Sequence, residues 1–360
     1  MSKKVILGLS GGVDSSVAAY LLKKSGYEVE AVFMKNWEGD DDDAHCTAET
    51  DLSDAQVVAQ KLQIPLHSVN FSKEYWHNVF SHFLNEYKKG RTPNPDILCN
   101  KEIKFKAFYQ HALTLGADYI ATGHYAQTAV NEAKTLLLKG LDNSKDQSYF
   151  LHAINQEALS KTLFPIGHYT KKEIRTIAKE QDLITYNKKD STGICFIGER
   201  HFTTFLKEYL LTQKGPIQTP DGNVISEHDG LMYYTIGQRQ GLNLGGIKGA
   251  EELPWFVVAK NIETNALTVV QGTSHPLLYS IGLLCADPDW INEAPEFPLA
   301  CAIKTRYREQ DVPAILTQTA DNEYCVMFSS PVRAVTPGQS VVFYDNNVCL
   351  GGAIISSQIN

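Results

Sequence analysis

Three stretches of this 360-residue chain carry side chains whose types and spacing suit chemistry. The first is Gly8-Leu9-Ser10-Gly11-Gly12-Val13-Asp14-Ser15-Ser16. An apolar strand pattern, Val5 to Leu9, runs into a Gly-rich turn, and a helix pattern follows at once. Such a unit aims several backbone N–H groups at one spot, at the positive end of a helix, and so suits a phosphate. It lacks the Gly-Lys-Ser/Thr of the Walker loop and the Gly-x-Gly-x-x-Gly of the dinucleotide fold. An ordinary βα turn with a Ser cap is the simpler alternative. The second stretch is Asn94-Pro95-Asp96-Ile97-Leu98-Cys99. Its prolines stiffen a loop that presents Asp96 and Cys99 together. Cys99 reads as opening a helix (Lys101–Leu115), with Lys101 and Lys104 nearby, a setting that favours a nucleophilic thiolate. The third is Gly193-Ile194-Cys195-Phe196-Ile197-Gly198, where local chemistry alone leaves Cys195 ambiguous.

The elements that must position these groups are legible as patterns. Over the first 125 residues, strands at Val5–Leu9, Glu28–Met34, Leu66–Asn70 and Asp118–Thr122 alternate with helices at Ser15–Lys24, Ala48–Leu62, Lys73–Lys88 and Lys101–Leu115. This alternation implies a parallel sheet covered on both faces, with ligands beyond the carboxyl ends of its strands. The glycine loop, Met34 and Gly123-His124 all fall on that edge. A hairpin is expected within Tyr125–Leu141, and Thr170-Lys171-Lys172-Glu173 reads as a capping box opening a helix. From Gly215 short strands replace helices, and after His275-Pro276 a third block of evenly spaced strands suggests a small barrel. The expected division is residues 1–205, 206–275 and 276–360.

Composition narrows the class. Hydrophobic content of 43% and charged content of 21% fit a globular protein. No apolar run is long enough to span a membrane, and the strand pattern begins too early for a signal peptide. The seven cysteines include no C-x-x-C pair, which argues against a disulfide framework or a four-cysteine zinc site, and a reducing cytoplasm is expected. Cys285, Cys301, Cys325 and Cys349 fall in strand patterns and read as core. The net charge of −8 works against RNA binding, but Lys88 to Lys106 carries six cations against Asp96 and Glu102, and Lys304-Thr305-Arg306-Tyr307-Arg308 forms a second basic cluster. The Asp40–Asp43 run, followed by His45 and Cys46, reads as a solvated loop, with Mg²⁺ binding as the alternative.

The loop at Ser10–Ser16 resembles the PP-loop of ATP pyrophosphatases, which split ATP to AMP and pyrophosphate. Taken with Asn94-Pro95-Asp96 and Cys99, Gly123-His124-Tyr125, Lys145-Asp146-Gln147, the Cys195 stretch to Arg200, Tyr307-Arg308 and Thr336-Pro337-Gly338-Gln339, the chain resembles the tRNA-specific 2-thiouridylases of the bacterial MnmA type along its whole length. The resemblance implies an α/β PP-loop domain (adenine nucleotide α-hydrolase-like), a small mostly-β central domain and a C-terminal β-barrel. It implies adenylation of the 2-carbonyl of the wobble uridine in Lys, Glu and Gln tRNAs, with sulfur then replacing the oxygen. Gly8, Leu9, Ser10, Gly11, Gly12, Val13, Asp14 and Ser15 would hold ATP phosphates, Met34 and Gly123 the rest of the nucleotide, and Mg²⁺ would offset charge on the leaving group. Cys195 would carry a persulfide from a sulfur-relay partner, Cys99 would be the nucleophile and Asp96 would move protons. Asn94, Pro95 and Asp96 would meet the extruded base, while His124, Lys145, Asp146, Gln147, Tyr307, Arg308 and Gln339 would meet the rest of the tRNA. Two routes stay open, direct attack by the persulfide or release of sulfide by Cys99, and both end in a transient Cys99–Cys195 disulfide. An iron–sulfur cluster on Cys99, Cys195 and Asp96 is a less favoured alternative, because two cysteines are few ligands. Other classes considered are a PP-loop ligase for a small molecule and a nucleotide-sensing RNA-binding module.

Overall fold

The computed structural model describes residues 2–38, 48–190, 202–245, 247, 251–320 and 322–360. Cys195 with its Gly-flanked stretch, and the Asp40–Asp43 run with His45 and Cys46, lie outside the described residues.

The run Val5-Ile6-Leu7 has no exposed side chain because it forms the centre of a parallel sheet buried on both faces. The sheet order is Leu66–Asn70, Glu28–Lys35, Lys4–Gly8, Tyr119–Ala121 and Thr162–Leu163, with every pairing parallel. Alternate residues of the central strand enter separate apolar clusters, Ile6 in one and Val5 and Leu7 in the other, the period-2 division a pleated strand demands. Strand order reverses beside Lys4–Gly8, so the loop that follows it sits at the switch point where ligands enter such sheets. Helix Val13–Lys24 begins directly from that loop. The expected capping box is present: Glu173 N–H donates to Thr170 Oγ1 at 3.3 Å and Thr170 N–H to Glu173 Oε2 at 2.7 Å, opening helix Lys171–Glu180.

One element differs from the expectation. The helix read as Lys101–Leu115 starts at Pro95 and continues to Thr114, with a wide i→i+5 stretch over Cys99–Ala107. Asn94 Oδ1 accepts the Asp96 N–H at 3.1 Å, and Pro95 occupies the first turn. The same Asn and Pro that read as loop residues are a cap and a first-turn residue. Cys99 therefore lies one turn inside the helix rather than at its start.

Six strands, Tyr279–Trp290, Glu323–Arg333, Val312–Ala320, Leu299–Lys304, Ser340–Asp345 and Val348–Ile359, close into a barrel through pairing of the first with the last. The first has no counterpart among the strands expected from the sequence. The hairpin Ala126–Asn131/Lys134–Lys139 joins this sheet, Leu137 and Leu138 pairing with Cys349 and Val348. Between the two units a four-stranded sheet is ordered Trp255–Asn261, Ala266–Gln271, Gly215–Gln218, Val224–His228. Cys285 and Cys349 are buried and Cys301 and Cys325 half-buried; burial pushes the Cys285 thiol up to about 12 and Cys301 to about 11. Among the described residues no helix is long and apolar enough to cross a membrane.

Candidate nucleotide and sulfur-transfer site

The glycine loop is built to leave donors free. Gly12 caps helix Val13–Lys24 without a side-chain hydrogen bond, so the first helical N–H groups, which have no partner within a helix, face the loop. Ser15 Oγ braces the turn, accepting the Ser10 N–H at 3.2 Å and donating to the Gly12 carbonyl at 3.1 Å. Gly11 has φ +73°, and a Cβ there would lie 2.1 Å from the Asp51 carbonyl oxygen. The Lys188 ammonium ties the same place down, reaching the Gly11 carbonyl at 3.0 Å, Asp51 at 2.7 Å and Asp54. A Cβ at Gly123 would meet Ser15 N at 2.8 Å, and one at Gly8 would meet the Met34 terminal methyl at 3.0 Å. Gly8, Ser15, Met34 and Gly123 thus converge on one edge, and the close backbone approach fits a nucleotide phosphate.

Asp14 is the carboxylate of this edge. The Tyr125 hydroxyl donates to it at 2.7 Å, and the Lys171 ammonium reaches both its oxygens at 2.8 Å. Lys171 also pairs with Asp190 at 2.8 Å, and Asp190 takes Lys145 at 2.7 Å and Arg175 at 2.8 Å. These cations hold the Asp190 carboxyl down at about 2, against the opposing cost of burial. A single carboxylate with two phosphate groups is the usual way a protein holds Mg²⁺, so Asp14 fits that ion. Among the described residues no group of three His, Cys, Asp or Glu side chains forms a metal site.

Helix 95–114 joins this edge to the second half of the site. A Cβ at Gly8 would stand 3.9 Å from the Phe108 ring. Cys99 is 2% exposed within the apolar cluster that holds Ile97, Ile103 and Phe105, a less polar setting than its sequence neighbours suggested. Lys101 turns away to Asp289 of the barrel, at 2.6 Å, and Lys106 to Glu102 at 2.7 Å. Lys104 turns inward, its ammonium 3.4 Å from His124 Nε2. An ammonium only donates, so Nε2 is the acceptor and the ring proton sits on Nδ1, toward Thr122 Oγ1 at 2.8 Å. Burial, aided by the Lys104 charge, holds His124 well below the usual imidazole range, hence neutral. Burial raises the Asp96 carboxyl above its ordinary value, and Lys104 pulls it partly back.

The residues expected at the RNA divide into two groups. Lys145, Tyr307 and Arg308 gather at one seam: the Tyr307 ring lies 4.5 Å from that of Phe150, its hydroxyl is 3.5 Å from the Lys145 carbonyl, and the Arg308 guanidinium sits 5.1 Å over the Tyr307 ring. The others are turned inward. Asp146 is 4% exposed and accepts the N–H groups of Gly140 and Ser148 at 3.0 and 3.1 Å. Gln147 Oε1 accepts the Tyr125 N–H at 2.9 Å, and Gln339 donates to the Thr92 carbonyl at 2.7 Å, just before Asn94. The basic run at Lys88–Lys106 is also partly neutralised, Lys89 and Arg91 pairing with Glu86. Lys188 and Asp190 were not singled out by sequence reasoning, and Tyr125 and Lys171 stood there only as members of a motif and of a capping box; the pairings that bring Tyr125 and Lys171 to Asp14 leave no local trace.

An α/β sheet with an open glycine loop at its switch point, a carboxylate in that loop, and an adjoining helix bearing Asp96 and Cys99 define a PP-loop enzyme. Domain families match throughout: a tRNA methyl transferase HUP domain at residues 3–199, a tRNA methyl transferase PRC-barrel domain at 203–271 and an aminomethyltransferase beta-barrel domain at 280–355. The chain is 58% identical over 360 residues to the tRNA-specific 2-thiouridylase MnmA of Legionella pneumophila strain Philadelphia 1, covering all of both chains. It is 59% identical to that of Psychromonas ingrahamii, over 99% of this chain and 98% of the relative, and 58% to that of Vibrio cholerae strain O395, over 99% and 97%. The chain belongs to the tRNA-specific 2-thiouridylase family.

Proposed function

We infer that this protein is a tRNA-uridine 2-sulfurtransferase. It uses ATP to adenylate the 2-carbonyl oxygen of the wobble uridine and replaces that oxygen with sulfur, giving 2-thiouridine, AMP and pyrophosphate. The observation that carries the mechanistic reading is helix 95–114, which packs on the nucleotide edge at Gly8 and bears Asp96 and Cys99. A carbonyl activated in the loop is thereby delivered beside the sulfur chemistry.

The residues divide the work. The backbone of residues 8–15 cradles the phosphates, and the positive end of helix Val13–Lys24 favours charge leaving as pyrophosphate. Asp14 would hold Mg²⁺ together with the phosphates, and that ion would supply further charge neutralisation. Asn94, Pro95 and Asp96 receive the flipped base, which an anticodon loop yields more easily than a duplex. The raised pKa of Asp96 suits it to carry a proton at the reacting uridine. Cys195 bears a persulfide from a sulfur-relay protein. Its terminal sulfur ends on uridine C2, the C2–O bond breaks with AMP, and the Cys99 thiolate takes the Cys195 Sγ, leaving a Cys99–Cys195 disulfide that a cytoplasmic dithiol reduces. Lys145, Tyr307 and Arg308 meet the RNA directly, while His124, Asp146, Gln147 and Gln339 hold the loops that frame it.

The test is reconstitution with ATP, Mg²⁺, a persulfide donor, a dithiol and unmodified tRNA, read by nucleoside mass spectrometry. Exchange of one oxygen for sulfur at the wobble uridine is expected. Gain of a methyl group instead, or full activity in Cys195→Ser, would remove the reading.

A further inference from the structure

The glycine loop contains no lysine, although a leaving pyrophosphate is highly charged and would meet the Asp14 carboxylate. The fold brings one in from far along the chain. Lys171 is the first residue of helix Lys171–Glu180, fixed by the Thr170–Glu173 capping box. Its ammonium lies 2.8 Å from both Asp14 oxygens and 2.8 Å from Asp190, with the side chain 12% exposed. Arg175, one turn on, holds Asp190 from the same helix, and the Lys171 N–H is itself anchored on Asp142 at 3.0 Å.

We propose that Lys171 is a catalytic residue that clamps the pyrophosphate leaving group. Asp14 and Asp190 hold the ammonium in place. With nucleotide bound, it exchanges them for oxygens of the β and γ phosphates while Asp14 turns to the metal. As the uridine O2 forms its bond to the α phosphorus, the bond from that phosphorus to the bridging oxygen breaks and the electron pair leaves with pyrophosphate. Lys171 keeps its proton throughout and serves as a fixed charge. The assignment rests on the adenylating reading above.

Binding of inorganic pyrophosphate with Mg²⁺ to the whole protein, followed by calorimetry, separates the two. Lys171→Gln is expected to weaken binding about tenfold or more, Lys171→Arg to restore most of it, and Lys172→Gln to leave it unchanged. Asp190→Asn removes a competitor for the ammonium and is expected to tighten binding, whereas a merely structural Lys171–Asp190 pair predicts weakening in both variants. Thermal melts identify any variant that fails to fold, and Lys171→Arg then decides. Undiminished pyrophosphate affinity in folded Lys171→Gln overturns the assignment even if the enzyme thiolates tRNA. Lys171-dependent binding in a protein that leaves tRNA unmodified upholds the clamp and removes the thiolation reading.

Discussion

Asp96 is a carboxylate that the fold does not make comfortable. Burial lifts its pKa while Lys104 lowers it, so the folded chain binds this proton more readily than the unfolded one. Its contribution therefore favours folding at pH below the ordinary carboxylate range and becomes a cost as pH rises through the raised value. Asp96→Asn is expected to cut thiolation about 100-fold or more without lowering the thermal midpoint at neutral pH; a lower midpoint would show that the charge stabilises the fold. His152 works in the other direction. It is 2% exposed, lies 3.1 Å from Ser340 Oγ, and burial depresses it to about 4, Lys101 lowering it and Asp289 raising it. Stability from its neutral form is intact above about 6.5 and is lost as pH falls toward about 4, roughly 3 kcal/mol in all. Melts at pH 7 and pH 5 should differ less in His152→Gln than in the parent chain. Neither effect was legible in the sequence, because burial dominates both shifts and is set by elements packed from elsewhere in the chain, with Asp289 of the barrel a further influence on His152.

At the scale of elements the nucleotide loop was the readable part. Val5–Leu9, the two glycines and the helix after them form one continuous local signal, and the boundaries found, Lys4–Gly8 and Val13–Lys24, differ by one or two residues. The start of helix 95–114 was misread because Asn and Pro serve equally as loop and cap residues. The closeness of Gly123 to Ser15, 108 residues apart in the chain, depends on sheet order and has no local trace beyond the glycine itself. It makes a sharp prediction: Gly123→Ala places a methyl 2.8 Å from Ser15 N and should weaken ATP binding about tenfold, with the melt little changed. Unaltered ATP affinity by equilibrium dialysis would show that the loop yields.

Across the whole molecule the barrel is part of the site's support rather than an appendage. Tyr149 donates to the Ser340 carbonyl at 2.9 Å, Ser148 and Tyr344 hydroxyls lie 3.2 Å apart, and one apolar cluster contains Leu137, Tyr149, Val342 and Tyr344 together. A chain ending at residue 275 would expose this surface and is expected to be insoluble or to lack a cooperative melt; a soluble fragment that melts cooperatively would contradict that. Pattern reading placed the barrel but not this seam, since the pairing of Leu137 with Cys349 joins strands with no local relation. That pairing also sets an order of events on the ribosome. Strand Lys134–Lys139 emerges more than two hundred residues before its partner at Val348–Ile359. Through most of synthesis it has an open edge, a template for pairing with other nascent chains. Cells making this protein quickly should therefore lose more of it to aggregates than cells making it slowly, and a chaperone that shields open strand edges should narrow the gap.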